Sequence, residues 1–139
     1  MPSKSSIQTV CVFCGSSEGQ HPAYLEAAHA TGTLLAEHGI RLIYGGASVG
    51  LMGAVADAAL AAGGQVTGII PDFISQKEIA HPGVQELLTT DSMHTRKRLM
   101  HRRSDAFICL PGGFGTFEEL TEILTWAQLG LHRKPIGLL

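Results

Sequence analysis

Residues 105–119 read DAFICLPGGFGTFEE, a short apolar run followed at once by a proline, three glycines and two carboxylates. The run at 105–110 has the length of a β-strand, and Pro111 ends it because proline has no N–H to donate. The three glycines lack a Cβ, so a ligand can approach their N–H groups closely. Thr116 is predicted to cap a helix from Phe117 onward, whose positive dipole end attracts an anion. The run therefore predicts a strand, a phosphate-binding turn and a helix.

The composition is that of one folded domain. The chain has 139 residues, of which 45% are apolar and 16% charged, with a formal net charge of -2. These values argue against a disordered tail and against a general nucleic-acid-binding protein. No apolar run approaches the ~20 residues that span a bilayer, so we expect a soluble cytoplasmic protein with no membrane contact and a flexible N-terminus at residues 1–8.

Apolar runs and helical patterns alternate along the chain. Strands are predicted at 9–14, 40–44, 65–70, 84–89, 105–110 and 135–139, and helices at 22–38, 51–62, 93–103 and after 116. Buried apolar strands separated by helices favour an α/β fold. We predict a single domain with a doubly wound, Rossmann-like parallel sheet and helices on both faces. Ligands are expected at the carboxyl ends of its strands.

Two more glycine-bearing turns follow predicted strands. The hydroxyl and N–H groups of Gly15, Ser16 and Ser17 suit phosphate or sugar oxygens, although an ordinary serine turn explains them equally well. Gly45 and Gly46 begin a run of four glycines in which no lysine follows, so the run is not a P-loop. These glycines serve either tight helix packing or the approach of a ligand.

The cysteines and histidines do not predict a metal site. Cys11 and Cys14 have C-x-x-C spacing but fall within one predicted strand, where residues three apart point to opposite faces. Cys109 lies in another strand, and all three are interpreted as core residues. The seven histidines are scattered without ligand spacing. We expect neither a required metal nor a cofactor.

Half of the Lys and Arg residues lie on the helix that precedes the 105–110 strand. Arg96 and Lys97 stand near its start, the end that a crossover helix brings toward the ligand edge. The whole set, with Arg98, Arg102 and Arg103, is explained equally well as a solvated face of the helix. Arg binds phosphate or carboxylate with two parallel hydrogen bonds, whereas Lys acts as a point charge, so Arg96 and Lys97 are the candidate anion-binding residues.

Glu118, Glu119 and Glu122 follow the glycine turn on one predicted helix. Helical periodicity places Glu118 with Glu122 on one face and Glu119 on another, so spacing does not choose a catalytic carboxylate. Such acids can also serve only to complement the helix dipole. The stripe predicted to face the core consists of Leu120, Leu124 and Ala127.

Four segments together resemble one family. They are PGGFGTFEE at 111–119, MHTRK at 93–97, the glycines at 45–46 with GLMG at 50–53, and TWAQLG at 125–130. From residue 10 to the end, the chain resembles the LOG (lonely guy) family, once described as lysine decarboxylases. The resemblance implies a cytokinin riboside 5'-monophosphate phosphoribohydrolase. Such an enzyme hydrolyses the N-glycosidic bond of an N6-modified AMP to the free base and ribose 5-phosphate.

The resemblance also implies roles for single residues. Glu119 and Arg96 match the family's catalytic pair. The implied substrate contacts are Gly112, Gly113, Phe114, Gly115, Thr116, Phe117, Glu118, Lys97, Glu78 and Thr125. A carboxylate can stabilise the oxocarbenium-like sugar and activate water, with Glu118 holding ribose hydroxyls. Arg96 serves either the departing purine or the phosphate. The family is typically a homodimer whose partner contributes to the site.

The same residues are compatible with two other functions. The chain can be a nucleosidase of AMP or another purine nucleotide, or a nucleotide-binding module without turnover. Lysine decarboxylation normally uses pyridoxal phosphate, and no lysine here has a recognisable Schiff-base context. Residues 135–139 read as a buried strand, whereas family members continue for several more elements. We therefore expect residues 9–139 to form a LOG-like nucleotide-binding domain that lacks C-terminal elements.

Overall fold

A computed structural model describes residues 7–75 and 80–139. Most of the predicted flexible segment 1–8 lies outside these ranges, as does Glu78. The elements are β1 (Thr9–Phe13), α1 (Pro22–Glu37), β2 (Arg41–Tyr44), α2 (Gly50–Ala61), β3 (Val66–Pro71), α3 (Asp72–Ser75), β4 (Glu86–Thr90), α4 (Met93–Arg103), β5 (Ala106–Cys109), α5 (Phe114–Gln128) and β6 (Ile136–Leu138). Among these helices, none is both long and apolar enough to cross a bilayer.

The strands form one six-stranded parallel sheet in the order β4-β3-β2-β1-β5-β6. The chain adds strands outward from β1 to β4, then returns to the other side of β1 with β5 and β6. The prediction of a doubly wound parallel sheet is confirmed. The order reverses between β1 and β5, so the loops that follow these two strands lead to opposite faces of the sheet and leave a crevice between them. Such sheets bind ligands in this crevice.

The two faces of the sheet are covered by separate cores. Alternate residues of β1 divide between them, because successive side chains of a strand point to opposite faces. Val10 and Val12 pack under α1 and α2, whereas Cys11 and Phe13 pack under α4 and α5. Cys14 belongs to the first core, so the two sulfurs of the C-x-x-C run belong to different cores, and all three cysteines are buried and free. Helices therefore cover both faces, as predicted.

The structure corrects two expectations for α5. The helix begins at Phe114 with Gly113 as its N-cap, so Thr116 does not cap it and lies inside its first turn. The earlier start follows from the Gly113 carbonyl, which already accepts the Phe117 N–H at 3.1 Å. The predicted core stripe is right only for Leu120, which packs against the core. The buried positions of α5 are Thr116, Glu119 and Ile123, while Leu124 is 44% exposed. This rotation of the helix about its axis buries the Glu119 side chain.

Candidate active site

A cleft of about 360 Å³ opens at the carboxyl ends of β1 and β5, where the strand order reverses. This volume lies in the range of small-molecule sites. Its lining comes from segments spread along the chain and comprises Val12, Phe13, Cys14, Gly15, Ser16, Gly45, Met52, Ile74, Met93, Arg96, Met100, Gly113, Phe114, Gly115, Thr116 and Glu119. The predicted ligand edge and the cleft therefore coincide.

The start of α5 forms one wall of the cleft and is open. Gly113, the N-cap, has no side-chain hydrogen bond to the helix. The first N–H groups of a helix have no partner within it and carry its positive dipole end. A Cβ added at Gly113 or Gly115 would meet no atom within 4 Å, so a ligand can reach the backbone there. The first turn of this 15-residue helix is therefore suited to an anion such as phosphate.

The start of α2, the other glycine-rich turn, is already occupied by the chain itself. The N–H of Leu51 donates to the Ser17 carbonyl at 3.3 Å, and that of Met52 donates to the Gly15 carbonyl at 3.2 Å. Gly45 makes room for the Arg96 guanidinium and the Met52 sulfur, since a Cβ there would collide with both. The glycines of this turn therefore serve close packing, and the turn holds the β1 loop in place beside the cleft.

Glu119 is the carboxylate that faces the cleft. It is 8% exposed, and loss of hydration raises its pKa from the ordinary 4.5 to about 7. Arg96 and Lys97 oppose this rise, whereas the charges of Glu118 and Glu122 add to it. A carboxylate with a pKa near 7 exchanges protons readily at neutral pH, as a general base or acid requires.

Arg96 is buried and held by backbone at the ends of two strands. Its Nε donates to the Ile69 carbonyl at 2.9 Å, and one Nη donates to the Gly45 carbonyl at 3.0 Å. The other Nη lies 3.8 Å from the Met93 sulfur. A guanidinium has five N–H donors, and these contacts do not exhaust them. Arg96 therefore presents a fixed positive charge to the cleft.

Lys97 does not line the cleft. Its ammonium lies 3.2 Å from a Glu118 oxygen and 3.1 Å from a Glu122 oxygen, in two ion pairs that join α4 to α5. Burial opposes its charge, but hydrogen bonds and charges from Glu122 and Glu118 outweigh burial and raise the pKa of Lys97. Adjacent residues of a helix project about 100° apart, so Arg96 faces the cleft while Lys97 faces α5.

The structure brings together part of the set predicted from sequence. The cleft is lined by Gly15, Ser16, Gly45, Arg96, Gly113, Phe114, Gly115, Thr116 and Glu119. Ser17 and Gly112 line an adjoining cleft of about 410 Å³ that shares Gly15, Ser16 and Gly113 with the first. The predicted residues Gly46, Phe117, Glu118 and Thr125 line neither, and Glu78 lies outside the described residues.

Sequence reasoning missed the apolar part of the lining, which consists of Met52, Ile74, Met93 and Met100 beside Val12, Phe13 and Cys14. Met93 stands three residues before Arg96, a spacing that places both on one helix face. That signal was available in the sequence. Within the described residues, no group of three His, Cys, Asp or Glu side chains could hold a metal ion.

Comparisons with known proteins agree on one family. A family model described as "possible lysine decarboxylase" matches residues 52–139. The chain is 53% identical over 136 residues to cytokinin riboside 5'-monophosphate phosphoribohydrolase LOG7 of Arabidopsis thaliana, covering 98% of this chain and 63% of that protein. It is 48% identical over 136 residues to cytokinin riboside 5'-monophosphate phosphoribohydrolase LOG of Oryza sativa subsp. japonica, covering 98% of this chain and 56% of that protein. The chain thus spans about three fifths of the length of the curated relatives it matches.

Solved structures share the fold. The molybdenum cofactor carrier protein of Chlamydomonas reinhardtii superposes with a TM-score of 0.78 at 24% identity, covering 95% of this chain and 76% of that one. The molybdenum cofactor binding protein of Rippkaea orientalis superposes with a TM-score of 0.75 at 27% identity, covering 96% and 77%.

Proposed function

The chain belongs to the LOG family, whose model carries the description "possible lysine decarboxylase", and on that premise we propose that it hydrolyses nucleoside 5'-monophosphates. The proposed reaction cleaves the N-glycosidic bond of an N6-modified AMP and releases the free base and ribose 5-phosphate, the cytokinin-activating reaction that the names of its relatives describe. One observation carries the proposal. A buried carboxylate, Glu119, shares a cleft with the open N-terminus of α5.

The substrate's phosphate binds the first turn of α5. Backbone N–H groups there lie around Gly113 and Gly115, where no side chain blocks approach. Ser16 lies in the wall that both clefts share and adds a hydroxyl donor. This arrangement supports selection of a nucleotide over a nucleoside, because the nucleoside leaves these donors without an anion.

Glu119 activates water and stabilises the sugar. Cleavage of the bond between C1' and the purine nitrogen builds positive charge on the ribosyl group, which an ionised carboxylate stabilises. The water oxygen bonds to C1' as the bond to the purine nitrogen breaks, one water proton passes to Glu119, and the departing purine takes up a proton from solvent water. With its pKa raised to about 7, Glu119 loses this role as the pH falls below 7, because the protonated form cannot accept a proton.

Arg96 supplies positive charge to one of two anions, the departing purine or the phosphate. Its guanidinium is held at fixed geometry by the carbonyls of Ile69 and Gly45. The two roles predict different kinetics for Arg96→Lys. Loss of a phosphate contact raises KM, whereas loss of leaving-group stabilisation lowers kcat.

The cleft also fits an apolar base. Met52, Ile74, Met93 and Met100 supply an apolar wall in which three of the four side chains are flexible thioethers. Such side chains adapt to irregular apolar ligands. This wall supports a purine with an apolar N6 substituent, and it leaves AMP itself as the alternative substrate.

The same site is less well suited to lysine decarboxylation. Schiff-base formation needs a neutral amine, and Lys97, which follows Arg96, is held as an ammonium by two carboxylates that raise its pKa. The family description therefore has no counterpart in the chemistry of this lysine.

The active form is proposed to be a cytoplasmic homodimer, and each protomer contains one nucleotide-binding domain at residues 9–139. Phe117 is 64% exposed on α5, and Leu129 and Leu131 just after it are 67% and 65% exposed. Apolar side chains exposed near the start of one helix and just beyond its end are available for contact with a partner. Glu118 and Thr125, which the resemblance assigns to substrate, are also exposed on α5, in accord with a partner whose site they complete. Three free, buried cysteines fit a reducing compartment.

The test is a substrate panel. Purified protein is incubated with N6-isopentenyl-AMP, AMP and N6-isopentenyladenosine, and the free base and ribose 5-phosphate are quantified by chromatography. We expect base from the nucleotides and none from the nucleoside. Glu119→Gln abolishes release, whereas the exposed Glu37→Gln on α1 serves as the matched control. No base from either nucleotide at high enzyme concentration would reject the proposal.

A second candidate is a binding module without turnover. It is favoured by the likeness to the Rippkaea orientalis protein, whose name describes binding of the molybdenum cofactor. In that case Glu119→Gln leaves nucleotide binding unchanged, and neither the wild type nor the variant releases base.

A further inference from the structure

The chain reverses direction just after α5 and returns beside it. The N–H groups of Leu129, Gly130 and Leu131 donate to carbonyls in the last turn of α5 at 2.9, 3.1 and 2.9 Å. Gly130 has a positive φ of 80°, a conformation that favours glycine. The reversal is therefore fixed by backbone contacts, and it delivers residues 132–134, which we call the return segment, to the side of α5 that faces α4.

His132 joins the return segment to the middle of α5. It is buried, and its Nδ1 accepts the N–H of Lys134 at 3.0 Å, so the ring proton is assigned to Nε2. That Nε2–H donates to the carbonyl of Ile123 at 3.0 Å. Ile123 is buried one helical turn after Glu119 and lies on the same face of α5. The imidazole therefore holds the part of α5 that bears the cleft carboxylate.

Lys134 joins the same segment to the last turn of α4. Its ammonium donates to the His101 carbonyl at 2.6 Å, a contact that suits the negative end of a helix dipole. His101 follows Arg96 on this helix. The next residue, Pro135, accepts the N–H of Phe107 at 2.9 Å and leads into β6 beside β5. The return segment is thus tied to α4, to α5 and to the sheet.

Aromatic rings fill the space that these contacts enclose. The His101 ring lies parallel to Phe107, with 5.8 Å between centroids, and edge-on to Trp126 at 5.0 Å. The ring of His132 lies 4.7 Å from that of His101. Burial, followed by the neighbouring Lys134 and His132, lowers the pKa of His101 to about 4, so its ring is neutral at neutral pH. Close-packed groups of this kind transmit displacements, and the cluster couples α4 to α5.

We propose that His132 and Lys134 are positioning residues of this site. Together they hold α4 and α5 in the orientation that brings Arg96 and Glu119 to one cleft. Neither of the two lines the cleft. The kinetic part of this inference rests on the proposed function, whereas the orientation of the helices is a property of the free protein and is tested without turnover.

The titration of Glu119 reports that orientation. Burial is the largest cause of its raised pKa, and its burial depends on how α5 lies against the sheet. The titratable groups that act on it or on which it acts are Arg96, Lys97, Glu118, Glu122, Cys11, Cys14 and Cys109. Loosening α5 lets water reach the carboxyl and lowers its pKa toward 4.5. Direct loss of a positive charge from Lys134 would instead raise it, so the direction of the shift separates positioning from electrostatics.

The first test measures this midpoint in the free protein. Glutamate side chains are labelled with ¹³C at the carboxyl carbon, and the Glu119 signal is identified by its loss in Glu119→Gln. His132→Leu and Lys134→Met each remove one contact and are expected to lower the midpoint by about half a pH unit or more. His132→Gln keeps a donor near the place of Nε2 and should stay close to wild type, as should the matched control Arg133→Met at the exposed position between them. An unchanged or raised midpoint in either folded variant, His132→Leu or Lys134→Met, would overturn the proposal.

The second test asks whether the orientation serves turnover. A small misplacement of the catalytic group lowers the rate of the chemical step. At about pH 8.5, where Glu119 is ionised in all variants, His132→Leu is expected to lower kcat about tenfold or more while KM changes by less than about threefold. His132→Gln should restore most of that loss. A residue that only stabilises the fold predicts instead that folded His132→Leu keeps the wild-type kcat, and that result would overturn the proposal.

Two further comparisons keep the outcomes distinct. If the wild-type protein releases no base, the proposed function fails while the titration still decides the role of the return segment. If His132→Leu does not fold, Lys134→Met is compared with Lys134→Arg, which keeps a cation at the end of α4. Loss of the ammonium must then lower the Glu119 midpoint and Lys134→Arg must leave it near wild type; equal midpoints in the two variants would contradict the proposal.

Discussion

Replacing Glu119 by glutamine is expected to stabilise the protein while it removes activity. Burial raises the pKa of this carboxyl from 4.5 to about 7, so the folded state prefers the protonated form. The folded state is therefore favoured by Glu119 at low pH, and this contribution is lost as the pH rises from about 4.5 through about 7. Glutamine has nearly the shape of a protonated glutamic acid and carries no charge at any of these values.

The magnitude follows from the size of the pKa rise. At about 1.4 kcal/mol per pH unit, a rise from 4.5 to about 7 costs the ionised protein roughly 3 kcal/mol of unfolding free energy. At about pH 5 most of that cost is absent, and roughly 1 kcal/mol remains. Glu119→Gln should therefore be more stable than wild type by roughly 3 kcal/mol at about pH 8.5 and by roughly 1 kcal/mol at about pH 5.

Urea unfolding at both pH values measures this difference. The chain has one tryptophan, Trp126, which packs against the core between the sheet and α5 and reports unfolding by its fluorescence. Glu26→Gln, at an exposed position of α1, is the control and should show no pH-dependent difference. Equal stabilities of Glu119→Gln and wild type at about pH 8.5, or a difference that does not grow with pH, would refute burial of an ionisable Glu119.

Four further substitutions test other parts of the protein. Arg96→Lys keeps a charge but lacks the planar guanidinium whose Nε and Nη donate to the Ile69 and Gly45 carbonyls, so denaturation should show a loss of about 1–3 kcal/mol together with reduced base release; unchanged stability would mean that these bonds are dispensable. Gly112→Ala drives a methyl into Thr116 and should cost about 1–3 kcal/mol of stability. Gly113→Ala meets open space and should leave stability within about 0.5 kcal/mol. It should nevertheless weaken the stabilisation of the protein against unfolding by added ribose 5-phosphate. Leu131→Glu places a charge on an exposed leucine and should halve the mass of the proposed dimer in light scattering; a dimer mass that stays unchanged would place the contact elsewhere.

The sequence was most informative about the sheet and its ligand edge. Apolar strand-length runs with helices between them can hardly be buried except in a parallel sheet covered on both faces. The turn after residue 110 was predicted to lie at that edge, and it does. These features depend on the local pattern of apolar residues and on the right-handed crossovers that join parallel strands. Both follow from the order of the residues along the chain.

The phase of α5 was not predictable in the same way. Its apolar residues occupy two faces, since Ile123 is buried while Phe117 and Leu124 are exposed. A pattern with two apolar faces does not say which one meets the sheet, and the polar residues Thr116 and Glu119 take core positions here. The choice between Glu118 and Glu119 depended on that phase.

The partners of Lys97 were equally beyond the sequence. Of the basic residues on α4, Arg96 and Lys97 are buried, whereas Arg98, Arg102 and Arg103 are exposed. Both buried residues were assigned to the ligand, whereas Arg96 lines the cleft and Lys97 pairs with carboxylates of α5. Which of them turned toward α5 was set by packing between two helices that are distant in sequence.

The proposed role of Glu119 is to cleave the N-glycosidic bond of a nucleotide held in this cleft. It is tested by single-turnover base release from N6-isopentenyl-AMP, measured beside the dissociation constant of the same nucleotide. We predict that Glu119→Gln lowers the rate of release by about a thousandfold or more while the dissociation constant changes by less than about fivefold. Release by Glu119→Gln at the wild-type rate would contradict it.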